Sequence, residues 1–247
     1  MNNNIDKNRM TDATITIRRA DGTPLANQEV TLEQISHEFL FGTAAFDLVP
    51  LTNGEYSGEA KERAEARADK IKALFNAATL PFYWGRFEPQ RGQPITEKVR
   101  NAARWCLDHN LAPKGHPLCW HTLTADWLLS MSNPEILQAQ IDRIHRDVAD
   151  FRGLIDMWDV INEAVIMPVF DKYDNGMTRI CKEYGRIPTI KAMFEAARDV
   201  NPTATLLIND FDVSSAYDIL VEGGLEAGIF AQNITGVSSI TRSVVKD

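Results

Sequence analysis

Cysteine is scarce in this sequence, with three residues, Cys106, Cys119 and Cys181, in a chain of 247. Their odd number and wide spacing match neither a disulfide framework nor a metal or redox motif, and apolar surroundings point to buried free thiols. No apolar run nears the roughly 20 residues that a membrane span needs. The opening MNNNIDKNRM has no apolar core of a secretion signal. As written, the chain reads as a soluble, cytoplasmic one, although a mature secreted enzyme would look the same. Clusters of Lys and Arg are also absent and the net charge is −8, which argues against nucleic acid or an anionic membrane as partner. A neutral or weakly charged ligand fits better.

What is present is enough apolar sequence, 44%, to bury a large core. Residues 14–19 and 29–35 alternate apolar and polar positions about Asp21-Gly22-Thr23-Pro24, which predicts a β-hairpin. We read 1–37 as a β-hairpin extension and 38–247 as the main domain. In the latter, β-like runs at 39–46, 77–84, 112–120, 154–163, 204–211 and 234–240 alternate with helical patterns at 59–75, 96–109, 134–151, 184–200 and 214–228. Strands separated by helices imply parallel pairing. Asn133 before Pro134 reads as a helix N-cap with proline at the first helical position. Six strand-like runs suit an incomplete (β/α)₈ barrel, which in full has about eight. A doubly wound sheet competes, but FGTAAFDL after the first run lacks the Gly-rich phosphate turn of that fold.

Strand ends carry polar and aromatic residues that a purely structural strand does not need: Tyr83, Trp84, Arg86 and Glu88; His116, Trp120 and His121; Asn162 and Glu163; Asn209, Asp210 and Asp212. They describe one cleft at the C-terminal face of a barrel. Such a cleft suits sugars, whose rings stack on Trp and whose hydroxyl groups need both donors and acceptors. Glycoside cleavage needs a protonated carboxyl group beside the leaving oxygen. Glu163, at the exit of an apolar strand and among Trp84, Trp120 and Trp158, is the candidate, because an apolar setting raises a carboxyl pKa.

WDVINEA at 158–164 resembles the acid/base motif of glycoside hydrolase family 10, the endo-β-1,4-xylanases. GHPLCWH resembles that family's strand-three motif, LLINDFD its strand-five motif and FEPQRGQP its E-P motif after strand two. The resemblance spans about residues 38–215. It implies a (β/α)₈ barrel, retaining endo-acting hydrolysis of xylan or xylo-oligosaccharides, and no cofactor. It further implies Glu163 as the acid/base, Asn162 at the sugar's 2-hydroxyl, and His116, Trp120, His121, Trp84, Glu88, Asn209 and Asp210 as substrate-binding residues.

Two departures qualify that reading. Where the family has N-E-M-K-W-E, this chain has Leu80-Pro81-Phe82-Tyr83-Trp84-Gly85, so the sugar subsites there are built differently or take a different sugar. After strand five the family's G-x-Q-S-H motif and the T-E motif carrying its nucleophile are missing, and the chain ends GVSSITRSVVKD. A C-terminal truncation, or a frame slip near residue 230, is expected, with the nucleophile unassigned and self-association through exposed barrel edges. Two other readings stay open. A binding-only barrel fragment fits the missing nucleophile. A metal-dependent barrel would gather His116, His121, Glu163 and Asp210, but the first strand lacks the H-x-H pair with which such sites open, and no metal is expected.

Overall fold

The computed structural model describes residues 14–210, together with Asp12 and Gly223. Contacts divide the chain into two units, Met1–Glu38 and Phe39–Asp247.

In the first unit the turn forms where the sequence places it. The Asp21 carboxylate accepts the Thr23 N–H at 3.0 Å and its hydroxyl at 2.7 Å, an Asx-type closure, and Gly22 takes φ 84°. The expected second strand does not follow. The closure is so tight that the returning arm begins at once, with Arg19 N–H donating to Thr23 O at 2.8 Å and Leu25 N–H to Ile17 O at 3.0 Å. One bridge, Arg18 to Pro24, is all the pairing among the described residues of this unit. Asn27 at φ 58° turns the chain again, and residues 29–35 form no strand.

The second unit holds five parallel strands, β1 (Gly42–Ala44), β2 (Ala77–Pro81), β3 (Ala112–His116), β4 (Met157–Asn162) and β5 (Thr205–Asn209), in the order β1-β2-β3-β4-β5. Helices separate them: α1 (Leu48–Thr52) and α2 (Gly58–Leu74) after β1, α3 (Trp84–Phe87) and α4 (Thr96–Asp108) after β2, α5 (Asn133–Phe151) after β3, α6 (Gly176–Tyr184) and α7 (Arg186–Val200) after β4. Neighbours in sequence are neighbours in the sheet, as in an unclosed barrel. The run at 234–240 and the helical pattern at 214–228, Gly223 apart, lie outside the described residues.

Two helix boundaries differ from the sequence reading. The helix expected over 184–200 is α7, which starts at Arg186 because Gly185 at φ 90°, in a conformation that a Cβ disfavours, ends α6 before it, and α6 itself is a helix that the sequence reading lacks. The cap of α5 is Ser132 rather than Asn133, since the Glu135 carboxylate receives both the N–H (2.8 Å) and the hydroxyl (2.6 Å) of Ser132. Among the described residues, no helix is long and apolar enough to cross a membrane.

Alternation along the strands sorts side chains to two faces. Trp158 on β4 is fully buried, with Phe82 at 4.8 Å and Phe151 of α5 at 6.2 Å between ring centroids. It therefore fills the layer between sheet and helices and does not line a cleft, contrary to the sequence reading. Gly115 makes room for it: the two are in register, and a Cβ on Gly115 would lie 2.2 Å from the indole Cζ3. Gly115→Ala is expected to lower stability by about 1–3 kcal/mol through overpacking, read as a lower midpoint in urea unfolding. An unchanged midpoint would mean that the indole can move aside. On the opposite face of the same two strands stand Lys114, His116 and Asp159.

Candidate active site

β4 ends in Asn162, and Glu163 follows at φ 54°, a left-handed conformation uncommon for a residue with a side chain. The ladder on both sides imposes it. Asn162 N–H donates to Cys119 O at 2.9 Å, and Glu163 N–H donates to Asn209 O of β5 at 2.7 Å. Strain of this kind persists only where the surroundings over-determine it, and it clusters at functional positions.

The Glu163 carboxylate meets the loop after β3. Its Oε2 accepts the Trp120 indole N–H at 2.8 Å, with His121 Nε2 at 3.5 Å from the same oxygen. His121 is 1% exposed, and burial pushes its pKa down to about 4, so near neutral pH it faces Glu163 uncharged. Burial is also the leading influence on Glu163, joined by the Asp210 charge, and together these raise its pKa against the opposing pull of Trp120, His116 and Asn162. The carboxyl group thus keeps its proton to higher pH than an exposed glutamate.

His116 is fixed from behind. Its Nδ1 lies 2.8 Å from Asp159 Oδ2, and Lys114 Nζ lies 2.7 Å from the same oxygen. Asp159 is wholly buried, and a carboxylate on Nδ1 leaves Nε2 as the imidazole's outward atom. Lys114 and Asp159 carry no weight in the sequence reading, yet a signal exists: both are charged residues inside apolar strand runs, and Lys114 sits two positions from His116 on the same face.

Four of the other expected site residues act as supports. Asn209 Nδ2 donates to Asn162 Oδ1 at 2.6 Å, which orients the Asn162 amide. Asp210, 3% exposed, accepts the Val165 N–H at 3.0 Å and ties down the loop after β4. Trp84 and Glu88, expected to touch substrate, are 3% and 2% exposed and bonded to each other, indole N–H to Oε2 at 3.0 Å. The chain enters α3 at Trp84, so its spacing to Glu88 is that of one helical turn, and both side chains turn away from the mouth. Glu88 also accepts Arg146 at 2.9 Å and the Gly92 N–H at 2.7 Å. Beside it, Arg143 reaches Asp147 at 3.1 Å, bonds the Leu118 and Phe82 carbonyl groups, and lies 4.9 Å over the Trp84 ring. This network joins α5 to the loops after β2 and β3, the loop after β3 carrying Trp120 and His121.

Among the described residues no three His, Cys, Asp or Glu side chains converge as a metal site. His116 faces Asp159, and Asp210, just past β5, accepts the Val165 N–H of the loop after β4.

The family described as Glycosyl hydrolase family 10 matches residues 46–221, which include every motif at the site. The chain belongs to glycosyl hydrolase family 10. Among its curated relatives, Endo-1,4-beta-xylanase B of Thermotoga neapolitana is 29% identical over 156 residues, 61% of this chain and 43% of the relative. The Endo-1,4-beta-xylanase/feruloyl esterase of Xylanibacter ruminicola is 25% identical over 162 residues, 57% of this chain and 22% of the relative. This chain spans less than half the length of either. Among solved structures, a thermostable mutant of the Cellvibrio japonicus xylanase Xyn10A matches with TM-score 0.63 and 25% identity, over 81% of this chain and 59% of that one. Xylanase 10B from Thermotoga petrophila, solved with xylobiose, matches with TM-score 0.61 and 22% identity, over 79% and 58%. The family 10 likeness makes the five strands consecutive units of a (β/α)₈ barrel and leaves the doubly wound alternative without support.

Proposed function

We propose that this chain carries the acid/base half of a retaining endo-β-1,4-xylanase site. The observation that carries the reading is the Glu163 carboxyl group, pushed up by burial and aimed between the Trp120 indole and a neutral His121. Protonated Glu163 gives its proton to the glycosidic oxygen as the bond to C1 breaks, then takes one from the water that releases the sugar. The Trp120 N–H steadies the carboxylate left in between. Asn162, its Oδ1 taken by Asn209, offers its amide NH₂ to the sugar's 2-hydroxyl oxygen. His116, braced by Asp159, offers Nε2 to a neighbouring hydroxyl. The substrate, xylan or xylo-oligosaccharide, is proposed from the names of the relatives.

Retention needs a second carboxylate about 5–5.5 Å from the first. Among the described residues, Asp159 and Asp210 share this end of the sheet and both are already engaged, so neither is assigned as nucleophile. That observation favours a second reading, sugar binding without turnover. Hydrolysis of xylan and of an aryl β-xylobioside by residues 1–247, with xylotetraose binding followed by calorimetry on the same sample, separates the two. Turnover establishes the glycanase; binding alone leaves the second reading; neither, from a folded sample, ends both.

A further inference from the structure

Glu163 keeps a left-handed backbone conformation, so the turn that follows it has to be held as firmly as the strand before it. The far end of that turn is fixed on Glu163 itself and on α6: Met167 N–H donates to Glu163 O at 3.2 Å, and the buried Thr178 hydroxyl donates to Met167 O at 2.8 Å. Between these points lies Val165, which is held through both of its backbone groups. Its N–H goes to Asp210 just past β5 at 3.0 Å, and its carbonyl oxygen accepts Arg186 Nη2 at 2.8 Å. Arg186 is the first residue of α7, set there by Gly185 at φ 90°, and its side chain crosses from that helix back to the loop that leaves β4.

A guanidinium bond is charge-assisted and among the stronger kinds that a backbone carbonyl accepts. Without it Val165 keeps one tie of two, and the strain at Glu163 is relieved by rotation toward an ordinary φ. A relaxed turn carries the carboxyl group away from Trp120 and His121 and toward water, where burial no longer holds its proton. The charge of the arginine pulls the other way, because a nearby cation favours the carboxylate. Loss of that charge alone would therefore raise the Glu163 midpoint, whereas loss of the hold on Val165 lowers it.

We infer that Arg186 is a positioning residue of the active site, which grips the turn after Glu163 through the Val165 carbonyl group and so keeps the acid/base carboxyl group between Trp120 and His121. The inference rests on the glycanase reading and deepens it by naming a residue outside the strand ends on which the acid/base depends. The test is a carbon-13 titration of the Glu163 carboxyl group in residues 1–247, in Arg186→Leu, in Arg186→Gln and in Arg198→Leu, with a melting curve for each. Arg198 is the control: it lies on the same helix and also bonds backbone carbonyl groups, those of Pro202 at 2.7 Å and Ala204 at 2.8 Å, away from the site. Arg186→Leu is expected to bring the Glu163 midpoint down toward 4.5 and to uncouple the Trp120 indole N–H resonance from the Glu163 titration. Arg198→Leu lowers the melting temperature and leaves both readouts as in wild type. Arg186→Gln, whose amide falls short of Val165, gives the same result as the leucine variant and replaces it if leucine at this half-exposed position prevents folding. A midpoint in the Arg186 variants that equals or exceeds that of wild type overturns the inference and leaves the glycanase reading standing. A wild-type midpoint at or below 4.5 removes Glu163 as the held proton donor, and the inference falls with it.

Discussion

Glu163→Gln is expected to lower kcat/KM for xylan by about 10²–10⁴-fold, the usual worth of a positioned proton donor. The loss depends on the leaving group. A sugar alkoxide must be protonated as it departs, whereas a nitrophenolate leaves without help, so kcat/KM for an aryl β-xylobioside with an acidic phenol should fall far less. Equal losses on both substrates would contradict proton donation and point to a binding role. A stability effect of opposite sign accompanies it. A carboxyl group whose folded pKa lies above its unfolded value favours folding only at low pH and costs stability once pH passes the unfolded value. Glu163 is in that position, so Glu163→Gln should melt at a higher temperature than wild type near neutral pH, a trade of stability for function.

Arg143→Leu is expected to cost about 1–3 kcal/mol in urea unfolding, since it leaves buried acceptors without their donor, although Asp147 keeps Arg146 at 2.8 Å. Asp147, wholly buried, would lose its Arg143 partner, and the carbonyl groups of Leu118 and Phe82 would lose a donor. Because these carbonyl groups belong to the loops after β2 and β3, sugar binding should weaken together with stability. Glu88 adds a pH dependence to the same network. Burial alone would raise its carboxyl group, but the bonds from Arg146, Trp84 and Gly92 outweigh this and hold it below 4.5. Its contribution is therefore present above that value and is lost as pH falls through the folded pKa. Glu88→Gln should flatten the fall in melting temperature between about pH 6 and about pH 3; an unaltered slope would place the acid sensitivity elsewhere.

How far the site could be read in the sequence follows from the spacing of its residues. β4 and Glu163 were legible because WDVINEA is a short apolar run ending in a polar pair, and β2, β3 and β5 fall inside the expected runs for the same reason. Trp84 and Glu88 were misread because the chain passes from strand to helix between Pro81 and Trp84. There the period changes from 2 to 3.6, and sequence alone does not fix which way the first helical side chains point. Trp158 was ambiguous until its partner across the sheet was known. A tryptophan beside a glycine in register is core packing, and that register is a tertiary fact. The N-terminal hairpin erred through local chemistry, because the Asp21 closure returns the chain immediately and leaves 29–35 without a partner strand.

Proton donation by Glu163 requires that the fold hold its carboxyl group protonated to higher pH than an exposed glutamate. A carbon-13 titration of the glutamate side-chain carboxyl groups, assigned by comparison with Glu163→Gln, tests it without requiring turnover. The midpoint for Glu163 is expected above its ordinary 4.5, and higher still in Trp120→Phe, which removes the N–H that favours the charged form. A midpoint at or below 4.5 in wild type would mean that burial does not hold the proton on Glu163.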